Sequence, residues 1–156
     1  TLQNLNTNPP KMICRFENAE QIPDDVSGIF AIALPLETDP NTAADIELCR
    51  IVDIPRGIVS EEELKRKLSL FRECGFTAAL CGNLSAVCIA KQLGFKVVGD
   101  TGLNIFNSES SVSLKDMSVE ALTLSTELAL KEAGFESALP KGLVVYGFKN
   151  IFCQYS

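Results

Sequence analysis

Residues 60–98 read SEEELKRKLSLFRECGFTAALCGNLSAVCIAKQLGFKVV, and this stretch decides the fold. Ser60 with Glu63 three residues on forms a capping box, in which each side chain satisfies the other's exposed backbone donor. Apolar Leu64, Leu68 and Phe71 follow at helical spacing, and Gly75 supplies a left-handed stop. Phe76 to Cys81 is an apolar run of strand length. Asn83 caps a second helix carrying Leu84, Val87, Ile89, Ala90 and Leu93, which stops at Gly94 before strand-like Phe95 to Val98. Helix and strand alternate twice within forty residues, the signature of parallel β-structure with crossover helices.

The pattern extends outward in both directions. Downstream come a strand over Ala121 to Leu124, a short helix from Thr126 to Ala133, the pair Gly134-Phe135, and a last strand over Leu143 to Tyr146. Three helices are thus expected to end alike, at Gly75-Phe76, Gly94-Phe95 and Gly134-Phe135, in steps that fit one repeating unit of about twenty residues. Upstream, Lys11 to Phe16, Gly28 to Leu36 and Glu47 to Ile54 read as strands joined by links too short for good helices. The total is about seven mainly parallel strands. A full eight-unit barrel takes about 250 residues, so the expectation is a partial or trimmed TIM-like (β/α) barrel, with a doubly wound open sheet as the alternative. Residues 1–10 read as a flexible N-terminal segment, and 11–156 as a single α/β domain excised from a longer chain.

Composition removes several functions. A net charge of −6 with fourteen scattered basic residues argues against direct nucleic-acid binding. The only basic run, Lys65 to Lys67, reads as a solvated helix face beside Glu61 to Glu63. No apolar stretch is long enough to span a membrane. The chain has no histidine, which excludes Ser–His and Cys–His nucleophilic catalysis by this chain and leaves the zinc signatures without ligands. Six cysteines are present but no C-x-x-C pair. Cys14, Cys49, Cys81 and Cys88 sit in apolar segments, where free cysteine behaves as a small hydrophobe, so the expected setting is a reducing, cytoplasmic one. No phosphate-binding loop is found: Cys81-Gly82-Asn83 and Gly99-Asp100-Thr101-Gly102 fit neither nucleotide fingerprint.

Ligands of parallel α/β folds bind at the carboxyl ends of the strands. The residues that follow each expected strand nominate Arg15, Glu17, Glu37, Arg56, Asn83, Asn104, Asn107, Glu127 and Tyr146 as substrate-binding, with Lys149 near. Glu37 and Glu127, joined by Glu17, are candidates for an acid–base pair of carboxylates. No residue is assigned as catalytic and none as a metal ligand. Asn83, Asn107 and Thr126 are equally good helix caps.

Four segments carry a resemblance in order: Leu80-Cys81-Gly82-Asn83-Leu84 with Ala90-Lys91-Gln92-Leu93-Gly94, then Gly102 to Ser108 (GLNIFNS), Leu122 to Leu128 (LTLSTEL), and Val144-Val145-Tyr146-Gly147. Together they resemble peptidase family U32, the collagenase-like proteases, over roughly residues 75–147, and more loosely over residues 11–56. The resemblance implies a barrel-like fold, a place in a larger protein, and a peptide or small-molecule substrate. Some members of that family carry an iron–sulfur cluster and hydroxylate RNA bases or quinone precursors. Their cluster cysteines begin just after a closing His-Gly. Here the pair is Tyr146-Gly147 and the nearest cysteine is Cys153, so no cofactor is expected in this chain, and a cluster only in a longer parent. The alternatives to a substrate-binding domain are a non-catalytic interaction domain and a barrel half that covers its open edges by homodimerisation.

Overall fold

The computed structural model describes residues 9–57 and 60–147. Seven strands form one sheet: β1 (Ile13–Arg15), β2 (Ala31–Pro35), β3 (Cys49–Ile54), β4 (Ala78–Cys81), β5 (Lys96–Gly99), β6 (Ala121–Thr123) and β7 (Lys141–Gly142). All six pairings are parallel, and spatial order equals chain order. The sheet curls into a half-barrel. A doubly wound sheet needs a reversal of strand order, and none occurs here, so that alternative is corrected.

Three α-helices cover the convex face: α1 (Glu61–Glu73), α2 (Leu84–Gln92) and α3 (Ser108–Asp116). The main core lies between helices and sheet, where Leu34, Val52, Ala79 and Val97 of the strands meet Leu64, Leu68, Phe71, Val87 and Leu114. On the concave face Ala31, Ala33, Ile51, Ala78 and Leu80 are buried in a second, smaller cluster. Burial on both faces explains why these strands read as continuous apolar runs rather than alternating ones.

Local signals set the helix ends. The Ser60 hydroxyl accepts the Glu63 amide at 3.3 Å, but the Glu63 carboxylate turns to Lys67 at 3.1 Å, so the capping box forms on the serine side. Helix α1 closes with Gly75 N–H donating to Arg72 and Phe76 N–H to Phe71; α2 closes the same way, with Gly94 to Lys91 and Phe95 to Ala90. Both glycines take positive φ, 85° and 77°. This is the paired-bond stop that satisfies the last helical carbonyls.

The third stop is displaced from its expected place. Residues 126–133 form only a short 3-10 turn at Leu130–Glu132, because Leu130 is 78% exposed and a short segment without a packed face does not hold a helix. The third helix is α3, hidden in the serine-rich run SESSVSLKD. It ends in the same two-bond stop, Ser118 to Lys115 and Val119 to Leu114, with Ser118 at φ 60°. Its buried Ser111 donates to the Ser108 carbonyl and accepts the Ala138 amide, tying α3 to the loop before β7.

Each Gly-Phe pair nonetheless keeps one shared feature, a cation over the ring. Arg50 lies 5.5 Å from the Phe76 centroid, Arg72 5.4 Å from Phe95 and Lys141 4.4 Å from Phe135. The strand expected at Leu143 to Tyr146 is also displaced. Strand β6 pairs Leu122 with Lys141 and Thr123 with Gly142, so the ladder ends before the apolar run, which stays exposed. Cys49 and Cys88, expected among the core residues, are exposed as well. No helix among the described residues is long and apolar enough to cross a membrane.

Ser118 carries a side chain where a left-handed backbone favours none. Ser118→Gly is expected to stabilise the chain by about 0.5–1 kcal/mol, and Gly94→Val to destabilise it by about 1 kcal/mol or more. Urea unfolding of the two variants measures both signs.

Candidate functional site

Arg15 is the last residue of β1, in register with Ala33 of β2, whose neighbour across the ladder is Ile51 of β3. Its side chain therefore stands on the concave face. Asp53 lies two residues beyond Ile51 on the same face of β3, and Asp100 follows β5 two residues beyond Val98, which packs against the concave cluster. Side chains two apart in a strand share a face, so all three charged groups converge at the carboxyl end of the concavity.

The guanidinium bridges the two carboxylates. Its Nε and one terminal nitrogen both donate to Asp53 Oδ2, at 3.0 and 2.7 Å. The other terminal nitrogen donates to both oxygens of Asp100, at 3.0 and 3.1 Å. The acids are mostly shielded, with side chains 17% and 13% exposed, while that of Arg15 is 44% exposed. The site opens to solvent on its arginine side.

Shielding and charge set the protonation. Burial, the largest influence on Arg15, pulls its pKa down, but the adjacent Asp53 and Asp100 outweigh it and the net shift is upward. Burial dominates at Asp53, aided by the like charge of Asp100; the Arg15 guanidinium opposes both, and the carboxyl ends above its ordinary value. Cys81, on β4, is pushed up to about 12, first by burial and then by the two carboxylates. Its thiol stays protonated at neutral pH and is no nucleophile.

The turns that frame the rim are held by backbone proximity. A Cβ on Gly102 would lie 2.6 Å from the Gly82 carbonyl oxygen, so the turn after β5 rests directly on the turn after β4. The Asp100 amide donates to the Cys81 carbonyl at 2.8 Å, fixing the start of that contact.

The residues nominated from sequence distribute unevenly around this centre. Arg15 is at its heart. Asn83 and Asn107 are N-caps, accepting the Ala86 and Ser110 amides at 2.8 and 2.9 Å. Asn104 is exposed in a left-handed conformation at φ 52° on the turn after β5. Glu37 turns to the convex side, where Lys67 of α1 donates to its carboxylate. Arg56 is exposed, with its backbone against Gly82. Glu17 and Glu127 are exposed, the latter's amide held by Ser125 Oγ at 3.3 Å. Tyr146 is 92% exposed beyond β7. Lys149 and Cys153 lie outside the described residues.

Asp53 and Asp100 are absent from the residues nominated from sequence; Asp100 lies just past β5, in the Gly99-Asp100-Thr101-Gly102 turn that the sequence offers only as a failed phosphate-loop candidate. Asp53 sits inside its strand, in CRIVDI. The available signal was an acid breaking an apolar run. Two surface hollows, of about 460 and 300 Å³, lie elsewhere: one between Lys11 and Phe30, the other between Leu36 and α1. Neither includes a residue of the charged trio. Among the described residues no group of three or more cysteines and acids is placed to hold a metal. Comparison of the chain with family models, characterised proteins and solved structures finds no match.

Two outcomes follow from the bridge. Arg15→Met strands two shielded carboxylates, and a cost of about 1.5–3 kcal/mol is expected from the loss of charged hydrogen bonds, below that of a fully buried pair because Arg15 is partly exposed. Asp53 is raised by folding, so the folded chain binds this proton more tightly than the unfolded one. Its contribution is present in full below the ordinary 3.8 and is lost as pH rises through the folded value. Wild type should therefore gain stability relative to Asp53→Asn as pH falls from neutrality toward 3.8, as measured by urea unfolding across that range.

Proposed function

We propose that this chain is a substrate-binding domain of a U32-like peptidase, and that its ligand docks at the carboxyl rim of the half-barrel. The observation that carries the reading is the Arg15–Asp53–Asp100 bridge at the rim, 2.7–3.1 Å between partners, where parallel α/β folds take their ligands. The segments behind the resemblance support it by position. Gly82-Asn83 follows β4 and Gly102 to Asn107 follows β5, beside Asp100. On this reading Arg15 orients a polar group, the two acids hold Arg15 in place, and Asn104 offers a donor and an acceptor at the edge. The substrate is a peptide or a small polar molecule, the setting is cytoplasmic, and nucleic acid does not bind here directly. Catalytic groups, or an iron–sulfur cluster in a hydroxylase of the same type, belong to the remainder of a parent chain.

A second reading, a non-catalytic interaction or dimerisation domain, is favoured by one feature: Leu143, Val144, Val145 and Tyr146 project beyond β7 at 49–92% exposure. Amide and carboxyl chemical-shift mapping with a mixed dipeptide library separates the two. Shifts centred on Arg15, Asp53, Asp100 and Asn104, weakened by Arg15→Met, are expected. Shifts confined to residues 141–147, or concentration dependence there without ligand, would replace the first reading with the second.

A further inference from the structure

The charged trio does not balance. One guanidinium faces two carboxylates, and among the described residues no lysine or second arginine pairs with either acid. The groups that act on Asp53 are Arg15 and Asp100, with the neutral Cys81 thiol beside them. Both bonds from Arg15 to Asp53 fall on Oδ2, and among the described residues Oδ1 meets no donor. That oxygen is not sealed: among the described residues, Arg50 Nε is the sole buried side-chain atom of its kind left without a partner. Asp53 thus carries a carboxylate oxygen that is neither sealed nor paired among the described residues, inside a trio with one excess negative charge. Anions are repelled by the surplus, and the bridge leaves at most one guanidinium N–H free, enough to orient a single acceptor but short of the paired donors a carboxylate takes.

We propose that the rim is a site for a cationic ligand group, an aliphatic ammonium such as a peptide amino terminus or a lysine-like side chain, with Asp53 Oδ1 accepting from it in the field of Asp100. This assignment of ligand class rests on the rim being the binding site. An ammonium there completes the charge balance at two cations to two anions and supplies the missing donor. It also takes over the neutralising role that a proton plays at Asp53, so proton and ammonium compete. Affinity should then rise with pH through the Asp53 titration and level off above it.

The test uses n-butylammonium and butyrate as probes on the full chain, read by side-chain carboxyl ¹³C shifts and by titration at several pH values. Butylammonium is expected to move Asp53 and Asp100 and to lower the Asp53 midpoint, with no response to butyrate. Asp53→Asn should weaken butylammonium binding by about tenfold or more. Should that variant fail to fold, the pH dependence of butylammonium binding to the unmodified chain reads the same competition. Butyrate binding at Arg15, or no response at Asp53 to saturating butylammonium, overturns the cationic class. If neutral dipeptides with blocked amino termini still shift the rim in that case, substrate binding there stands and only the ligand class falls. Silence to every probe at the rim removes both.

Discussion

One side chain holds the curvature on which everything else depends. Arg15 leaves the edge strand β1 and bonds to Asp53 on β3 and to Asp100 just past β5. In a flat sheet, strands four places apart lie about 19 Å from each other, far beyond the reach of an arginine. The contact exists because the sheet is rolled, and it in turn resists unrolling. The small residues beneath it, Ala31, Ala33 and Ala78, let the concave walls approach closely enough for the bridge to form. Fold and site are therefore the same object seen at two scales.

The repeated unit was legible because it is written in strong local signals. Ser60, Asn83, Gly75 and Gly94 act through the backbone within one turn, so neighbouring residues suffice to reveal them. What stayed hidden depends on partners remote in the chain. Helix α3 is serine-rich and has two buried residues, Ser111 and Leu114; its stop uses Ser118, where sequence habit looks for glycine. The apolar run 143–146 has every local mark of a strand, but ladder register, not composition, decided that β7 is Lys141–Gly142.

The site was half legible for a related reason. Arg15 terminates its strand and advertises itself as a rim residue. Asp53 lies within an apolar strand, where an acid is costly unless paired, and its partner is 38 residues away. Pairing of that kind is invisible until strand register is known. Conversely, the asparagines that looked ligand-like, Asn83 and Asn107, spend their oxygens on helix caps. The charge imbalance that gives the rim its chemical character belongs to none of these residues singly.

Identity of chain order and spatial order also dictates a history for each molecule. As the polypeptide leaves the ribosome, every new strand can dock on the one made just before it, so the sheet grows by accretion at one edge. Arg15 is synthesised 85 residues ahead of Asp100 and spends that interval paired at most with Asp53. The sheet can extend while still able to flatten, and the roll becomes locked at a definite moment, when the turn after β5 emerges. Strands β6 and β7 are then added to a template whose curvature is already set.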